Sequence, residues 1–419
     1  MTDQDEGWGS AGLGLEDMGL FGGAERVQTF SDPDKAPEVA AQPPSVTAPD
    51  QAPAPAAEPS PPTALSQVPG LIPGPGAFVP DGTQVAFQMP APQWEPVAAV
   101  DPLRAVRAAL MDSGPAVAEP AQWGARAVLR RSTRGLLRPG ASKAEQAYLG
   151  DLETIRTFRW PAPFSVLVTN KKGGVGKTPT TLLLAGVMAQ VRSGGVVAFE
   201  GAEAAGTLAM RAERAEQAPR GISELLTSMD RIRTAAALAW FTQLQSSGAA
   251  VIGSAGDRET LQAHHVRAVR GLLDQYFPIS VVDTGNNPES GAFLECVGGA
   301  GALVLPTSLA MSSVIGLIDT LFRIRDHGPH GRALAASAVI VVTDDGRPVE
   351  AKAAAKARDA LADMGVGAVV DVPHDPHIAA GTEISLGRLS VASQRAWVHV
   401  TAQVVTVASN NLPTSERTL

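Results

Sequence analysis

Lys172-Gly173-Gly174-Val175-Gly176-Lys177-Thr178 has the residue types and spacing of a phosphate cradle. Glycines let the backbone bend so that successive N–H groups face one point. Lys177 is placed to reach terminal phosphate oxygens, and the Thr178 hydroxyl is a candidate Mg²⁺ ligand. Lys172 adds a second cation at the mouth of the bend, so Lys172 and Lys177 are the candidates for catalysis by charge neutralisation. Pro179 follows directly and completes the nucleotide-binding set; the first turn of a helix needs no N–H there.

Such a loop acts only if a strand delivers it and a helix receives it. Phe164, Val166, Leu167 and Val168 form an apolar run of strand length, and Thr180 to Gln190 is apolar over helical length. The helix adds unpaired N–H groups and the positive end of its dipole.

A second constellation lies about 100 residues on. Ile279-Ser280-Val281-Val282-Asp283 is an apolar strand ending in a carboxylate, placed to hold Mg²⁺ through water beside Thr178.

The strict pattern G-x-x-x-x-G-K-[ST] fails by one residue, because Lys171 stands at the first glycine. Lys172 before the double glycine makes the deviant form of the loop, and it resembles the ParA/MinD family of partition and positioning ATPases. Asn170 fits the same likeness. The resemblance implies ATP and Mg²⁺ as ligands, with Lys172 reaching across a nucleotide-sandwich homodimer. Leu303-Val304-Leu305-Pro306 looks like the family strand that ends in proline. Asp371-Val372-Pro373-His374-Asp375 looks like its stretch near the nucleotide base. Thr343-Asp344 falls where an adenine-reading Asn is common, so Thr343, Pro373 and Asp375 are possible base-proximal residues. With the Pro-rich front, the chain looks most like the MinD-like ATPases of actinobacteria associated with type VII secretion.

Two departures matter. The family expects Asp-x-Asp after its second strand, the second Asp orienting the attacking water. Here the chain reads Phe199-Glu200-Gly201-Ala202-Glu203. Glu200 takes the first acidic place as a possible switch residue, Ala202 the second, and Glu203 is one residue out of register. An alanine cannot position water, so slow turnover is expected. Gly285-Asn286-Asn287-Pro288 is also looser than the family's Asp-Thr or Asp-Cys followed by prolines.

From Phe164 onward, strands alternate with helices of 10–15 residues. That pattern predicts an α/β fold with a doubly wound, mainly parallel sheet of about seven strands, of the P-loop NTPase type. The expected helices include Ala125–Leu137, Ala235–Leu244 and Glu259–Tyr276. Ligands bind beyond the carboxyl ends of the strands in such folds. The expected organisation is a disordered acidic, Pro/Ala-rich tail and linker over 1–100 and a basic helical connector over 101–160. The ATPase domain follows over 161–408, with a flexible C-terminus over 409–419.

Composition sharpens this. Residues 1–100 hold 13 Asp/Glu against 2 Lys/Arg, whereas the whole chain is at −8, so the remainder is near +3. Nucleic acid is therefore a possible partner that charge does not support. The single cysteine, Cys296, excludes an internal disulfide and reads as a small apolar filler on a helix. His264-His265 and His374/His377 suggest a metal site only weakly, because no cysteine or acidic cluster supports ligation. No run of 18 apolar residues suggests a membrane span, and no secretory signal is visible, so a cytoplasmic location is expected. Leu13 to Phe21 sets apolar residues among acids, a pattern that suits partner binding through the N-terminal tail. The readings left open are a nucleotide-dependent dimerising switch, a non-hydrolysing nucleotide-binding scaffold that recruits partners, and a DNA-partition ATPase.

Overall fold

The computed structural model describes residues 106–107, 120–214 and 220–411. The expected tail and linker over 1–100 and residues 412–419 lie outside the described residues. Of the expected basic connector over 101–160, residues 106–107 and 120–160 are described.

The elements run α1 (Gly124–Ser132), α2 (Lys143–Thr157), β1 (Phe164–Val168), α3 (Lys177–Arg192) and β2 (Val196–Glu200). Next come α4 (Leu208–Arg211), α5 (Ile222–Ser228), α6 (Ala235–Ala239), β3 (Gln243–Leu244) and β4 (Ala250–Ile252). Then follow α7 (Ala263–Leu273), β5 (Ile279–Asp283), α8 (Gly291–Gly298), β6 (Ala302–Thr307), α9 (Met311–Arg325) and α10 (Gly328–Ala336). The last are β7 (Val339–Thr343), α11 (Ala351–Ala362), β8 (Ala368–Val372), α12 (Pro376–Ala379) and α13 (Val391–Asn411).

Eight strands form one sheet in the order β3-β4-β2-β5-β1-β6-β7-β8. All pairings are parallel except β3 with β4. All seven expected strands are present, and β3 is the eighth. Sequence reasoning put Gln243–Leu244 inside the helix Ala235–Leu244; instead α6 stops at Ala239, and the next residues pair along the sheet edge. The helix expected over Ala125–Leu137 ends at Ser132, because Arg134 and Gly135 take φ values of 50° and 82°. Glu259–Tyr276 shortens to α7, with Gln262 as its N-cap. The short helix α10 runs to Ala336, and β7 starts three residues later at Val339.

Side-chain alternation along each strand builds two cores. Phe164, Val166 and Val168 of β1 join one apolar layer with α2, α3 and α13. Leu167 joins the other, with α5 and α7 to α11. Trp397 of α13 is 1% exposed and belongs to the first layer. Trp160 stacks on Phe164 at 4.2 Å between ring centroids, which ties the α2–β1 junction to the sheet. A mostly parallel sheet with helices on both faces and a glycine-rich loop between β1 and α3 is a P-loop NTPase fold.

Candidate functional site

The register of the central strands sets the site. Asp283 at the end of β5 pairs with Val168 of β1 on one side and Glu200 of β2 on the other. The three strand ends therefore open onto one crevice, and the loop after β1 folds over it.

Gly174 and Gly176 have φ of 75° and 91°, values that an L side chain adopts only under strain. Gly176 is the N-cap of α3, so the bend delivers the chain into the helix with its first N–H groups free. A Cβ on Gly173 would lie 3.5 Å from the Asn286 side chain. Val175 is buried, and its carbonyl lies 3.5 Å from the Thr343 hydroxyl, which also donates to Thr307 O at 3.3 Å. Thr343 thus braces the back of the loop. Pro179 lies in the first turn of α3, as the sequence allowed.

Lys177 folds back across the loop. Its Nζ donates to Asn170 O at 3.0 Å, to Lys172 O at 3.2 Å and to Asn286 Oδ1. Burial lowers its pKa, and the charges of Asp283 and Glu203 oppose that shift. Asn170 is fully buried; its amide donates to Pro306 O at 2.9 Å and its Oδ1 accepts from Lys172 N at 2.9 Å. Lys172 itself is exposed, with its Cβ against Gly316 of α9. Lys171, the residue in the first-glycine position, pairs at the surface with Asp319 at 3.3 Å.

The Thr178 hydroxyl donates to Asp283 Oδ2 at 2.6 Å. Asp283 is 5% exposed, and its Oδ1 is buried with no hydrogen-bond partner. Burial pushes its pKa up to about 7, against the Thr178 hydrogen bond and the Lys177 charge. An orphaned carboxylate oxygen beside a threonine hydroxyl has the chemistry of a hard-cation site, so these residues fit Mg²⁺. Among the described residues no group of three or more His, Cys, Asp or Glu could hold a metal. A phosphate-borne ion needs only this hydroxyl and carboxylate from the protein.

Glu200 lines the crevice but is engaged through one oxygen, its Oε2 being buried with no hydrogen-bond partner. Its Oε1 accepts from Arg258 Nη2 at 2.9 Å, Gly206 N at 2.9 Å and the Ser254 hydroxyl. The same Nη2 also bonds Ala202 O at 2.7 Å and Ala204 O at 2.9 Å, Nη1 bonds Glu203 O at 2.9 Å, and Nε donates to Ser254 Oγ at 2.8 Å. The loop after β2 is thereby pinned from beneath. Sequence reasoning missed Arg258; a lone arginine 58 residues from its partner gives no local signal. The Glu203 side chain reaches the loop after β5, with Oε2 3.5 Å from Ser290 Oγ and packed against Gly285.

A cavity of about 590 Å³ connects these parts, lined by Gly173 to Thr180, the 202–207 loop, Asp283 to Asn286 and the segment after β8. Thr343, Asp344, Pro373 and Asp375 line its far end. Asp375 is 3% exposed and engaged: its carboxylate accepts from His377 N at 3.0 Å and Ser390 N at 2.9 Å. It shapes that wall by capping α12. Of the histidines, His265 Nδ1 accepts from Gln262 N and His377 Nε2 from Ser385 N, both as local caps. Cys296 is buried on α8, where burial pushes its thiol up to about 12. Among the described residues no helix is long and apolar enough to cross a membrane.

No family model matches the chain. It is 27% identical over 256 residues to the ESX-1 secretion-associated protein EspI of Mycobacterium tuberculosis, in strains CDC 1551 / Oshkosh and H37Rv. That match covers 57% of this chain and 36% of EspI, so the chain spans about a third of the length of the curated relatives it matches. Among solved structures it is similar to a ParA family ATPase from Chlorobium tepidum TLS, at 14% identity and a TM-score of 0.44, over 59% of this chain and 96% of that one. It is also similar to the cell division ATPase MinD of Pyrococcus furiosus, at 17% identity and a TM-score of 0.42, over 58% of this chain and 98% of that one.

Proposed function

We propose that this chain is an ATP- and Mg²⁺-dependent switch of the ParA/MinD type. In this reading nucleotide binding closes a homodimer that presents a surface to a partner, and turnover is slow. The observation that carries it is the Thr178–Asp283 contact at 2.6 Å, facing a glycine loop at the mouth of a cavity large enough for a nucleotide. Gly173 to Gly176 offer N–H groups to phosphates, and Lys177 and Lys172 supply positive charge. Thr178 and Asp283 hold Mg²⁺, which when bound neutralises charge on the phosphate oxygens. Closure frees the Lys177 ammonium from Asn286 and the loop carbonyls and turns it to the phosphates. Likeness to a secretion-associated protein supports regulation or positioning of a secretion complex as the cellular role.

Titration calorimetry with ATP and Mg²⁺ tests the reading. One nucleotide per chain is expected, with binding lost in Lys177→Ala. Equal affinity in the parent and Lys177→Ala would overturn it.

A second reading is favoured by one feature. Ala202 has only a methyl group, and its carbonyl is taken by Arg258. A non-hydrolysing scaffold that binds nucleotide and recruits partners through its tail fits that loop. Phosphate release in the parent no greater than in Lys177→Ala would select it.

A further inference from the structure

Away from the nucleotide crevice, the stretch from Ala121 to Ser142 carries five arginines and no acidic residue. Pro120, Arg130, Arg131, Arg134, Gly135 and Arg138 line a cavity of about 310 Å³. Arg126 donates to Gly140 O at 3.2 Å and Arg138 to Gly135 O at 3.3 Å. Both bonds go to backbone carbonyls, so neither offsets the arginine's charge. Among the described residues none of Arg126, Arg130, Arg134 or Arg138 makes an ion pair. Beside them lie Val128, Leu129, Leu136 and Leu137, exposed by 60, 44, 89 and 50%. Four large apolar side chains left in water beside Arg126, Arg130, Arg134 and Arg138 mark an interaction surface, not a solvated face.

Its complement is in the same chain. Residues 1–21 carry five acids, Asp3, Asp5, Glu6, Glu16 and Asp17, and no basic residue. Within them Leu13-Gly14-Leu15-Glu16-Asp17-Met18-Gly19-Leu20-Phe21 sets five apolar side chains around the acid pair. We propose that this N-terminal segment, outside the described residues, docks on the α1 arginine surface of its own chain. Glu16 and Asp17 enter the arginine-lined cavity, where guanidinium–carboxylate pairing is directional. Leu13, Leu15, Leu20 and Phe21 cover Val128, Leu129, Leu136 and Leu137. The roughly hundred residues between segment and patch are ample reach for an intramolecular contact. Docking in this way holds the tail, and any partner site on it, against the body of the protein.

This inference does not rest on the nucleotide reading, and its test needs no nucleotide. Hydrogen exchange of the full chain is followed by mass spectrometry over residues 128–138. The expected result is about tenfold faster exchange there in Glu16→Lys/Asp17→Lys than in the parent. Combining that change with Arg130→Glu/Arg134→Glu restores the slow exchange. Unchanged exchange in Glu16→Lys/Asp17→Lys, or no restoration by the charge swap, overturns the proposal. Protection that fades on hundredfold dilution assigns the surface to a second copy and also overturns it. So does protection that appears only with phosphatidylglycerol vesicles, which assigns the surface to lipid.

Discussion

Arg258 and Glu200 form an ion pair at 2.9 Å with side chains 2% and 1% exposed, beneath the loop that follows β2. Removing one partner of such a pair strands the other charge without water, at a cost of about 3–5 kcal/mol. Arg258 also satisfies the carbonyls of Ala202, Glu203 and Ala204. Arg258→Ala is therefore expected to lower the unfolding free energy by about 3–5 kcal/mol in urea titrations. Arg258→Met/Glu200→Gln is expected to cost less than the two single changes added together, because neither residue is then left charged and alone. Additive losses would show that the pair does not act as a unit.

At Asp283 the expectation concerns ligand, not stability. Asp283→Asn keeps an acceptor for the Thr178 hydroxyl but removes the charge that a cation needs. ATP binding in Mg²⁺ is expected to weaken by about tenfold to a hundredfold, the worth of one charged contact. In EDTA the variant and the parent should bind alike. A variant that keeps its Mg²⁺ enhancement would move the ion away from Asp283.

Asp375 gives a pH dependence. Burial raises its pKa, but hydrogen bonds from Ser393, from the N–H groups of Ser390 and His377, and from the Ser390 hydroxyl outweigh it, so the net shift is downward. A carboxyl depressed by folding stabilises the protein above its unfolded pKa, and that gain is lost as pH falls through the folded value. Asp375→Asn is expected to cost about 1–2 kcal/mol at pH 7. The difference should shrink as the pH drops below about 4, near the unfolded value. Thermal denaturation of both proteins from pH 7 to pH 3 checks this, and a constant gap contradicts it.

Lys172 tests the dimer. Its side chain is exposed beside α9, so it has no burden in its own fold. Lys172→Ala should leave stability within about 0.5 kcal/mol of the parent, as for surface changes. It should bind ATP yet sediment as a monomer where the parent becomes a dimer with ATP and Mg²⁺. Equal dimerisation would place the subunit contact elsewhere.

These expectations draw unevenly on sequence. The sheet was legible because buried parallel strands are apolar throughout: Val166 to Val168, Val196 to Phe199 and Ile279 to Val282 need no tertiary context. The loop was legible because Gly174 and Gly176 sit where φ is positive. Thr178 and Asp283 meet because the glycine loop after β1 returns the chain to the end of β5, the strand paired with β1. The edge strand Gln243–Leu244 was not legible, since two residues carry no period and the preceding alanines favour helix. Nor was the fate of Glu200, which depends on an arginine brought in from another loop.

That fate makes Glu203 the carboxylate to test for turnover. Glu200 is held by Arg258 through Oε1, and Ala202 offers only a methyl group. Glu203, one position on, extends to Gly285 and Ser290 on the loop after β5, and its charge acts on Lys177 across the crevice. A carboxylate between these loops is placed to orient water, whereas an amide there accepts no proton. Glu203→Gln is expected to reduce phosphate release about a hundredfold, the lower end of what a general base contributes. ATP affinity should not fall, because the change only removes a negative charge from beside Lys177. Gly285→Ala gives an independent check. A Cβ there would stand 2.5 Å from Glu203 Oε2, so the carboxylate must swing away. Both variants should fail in turnover while binding normally; parental turnover in Glu203→Gln removes this residue from the chemistry.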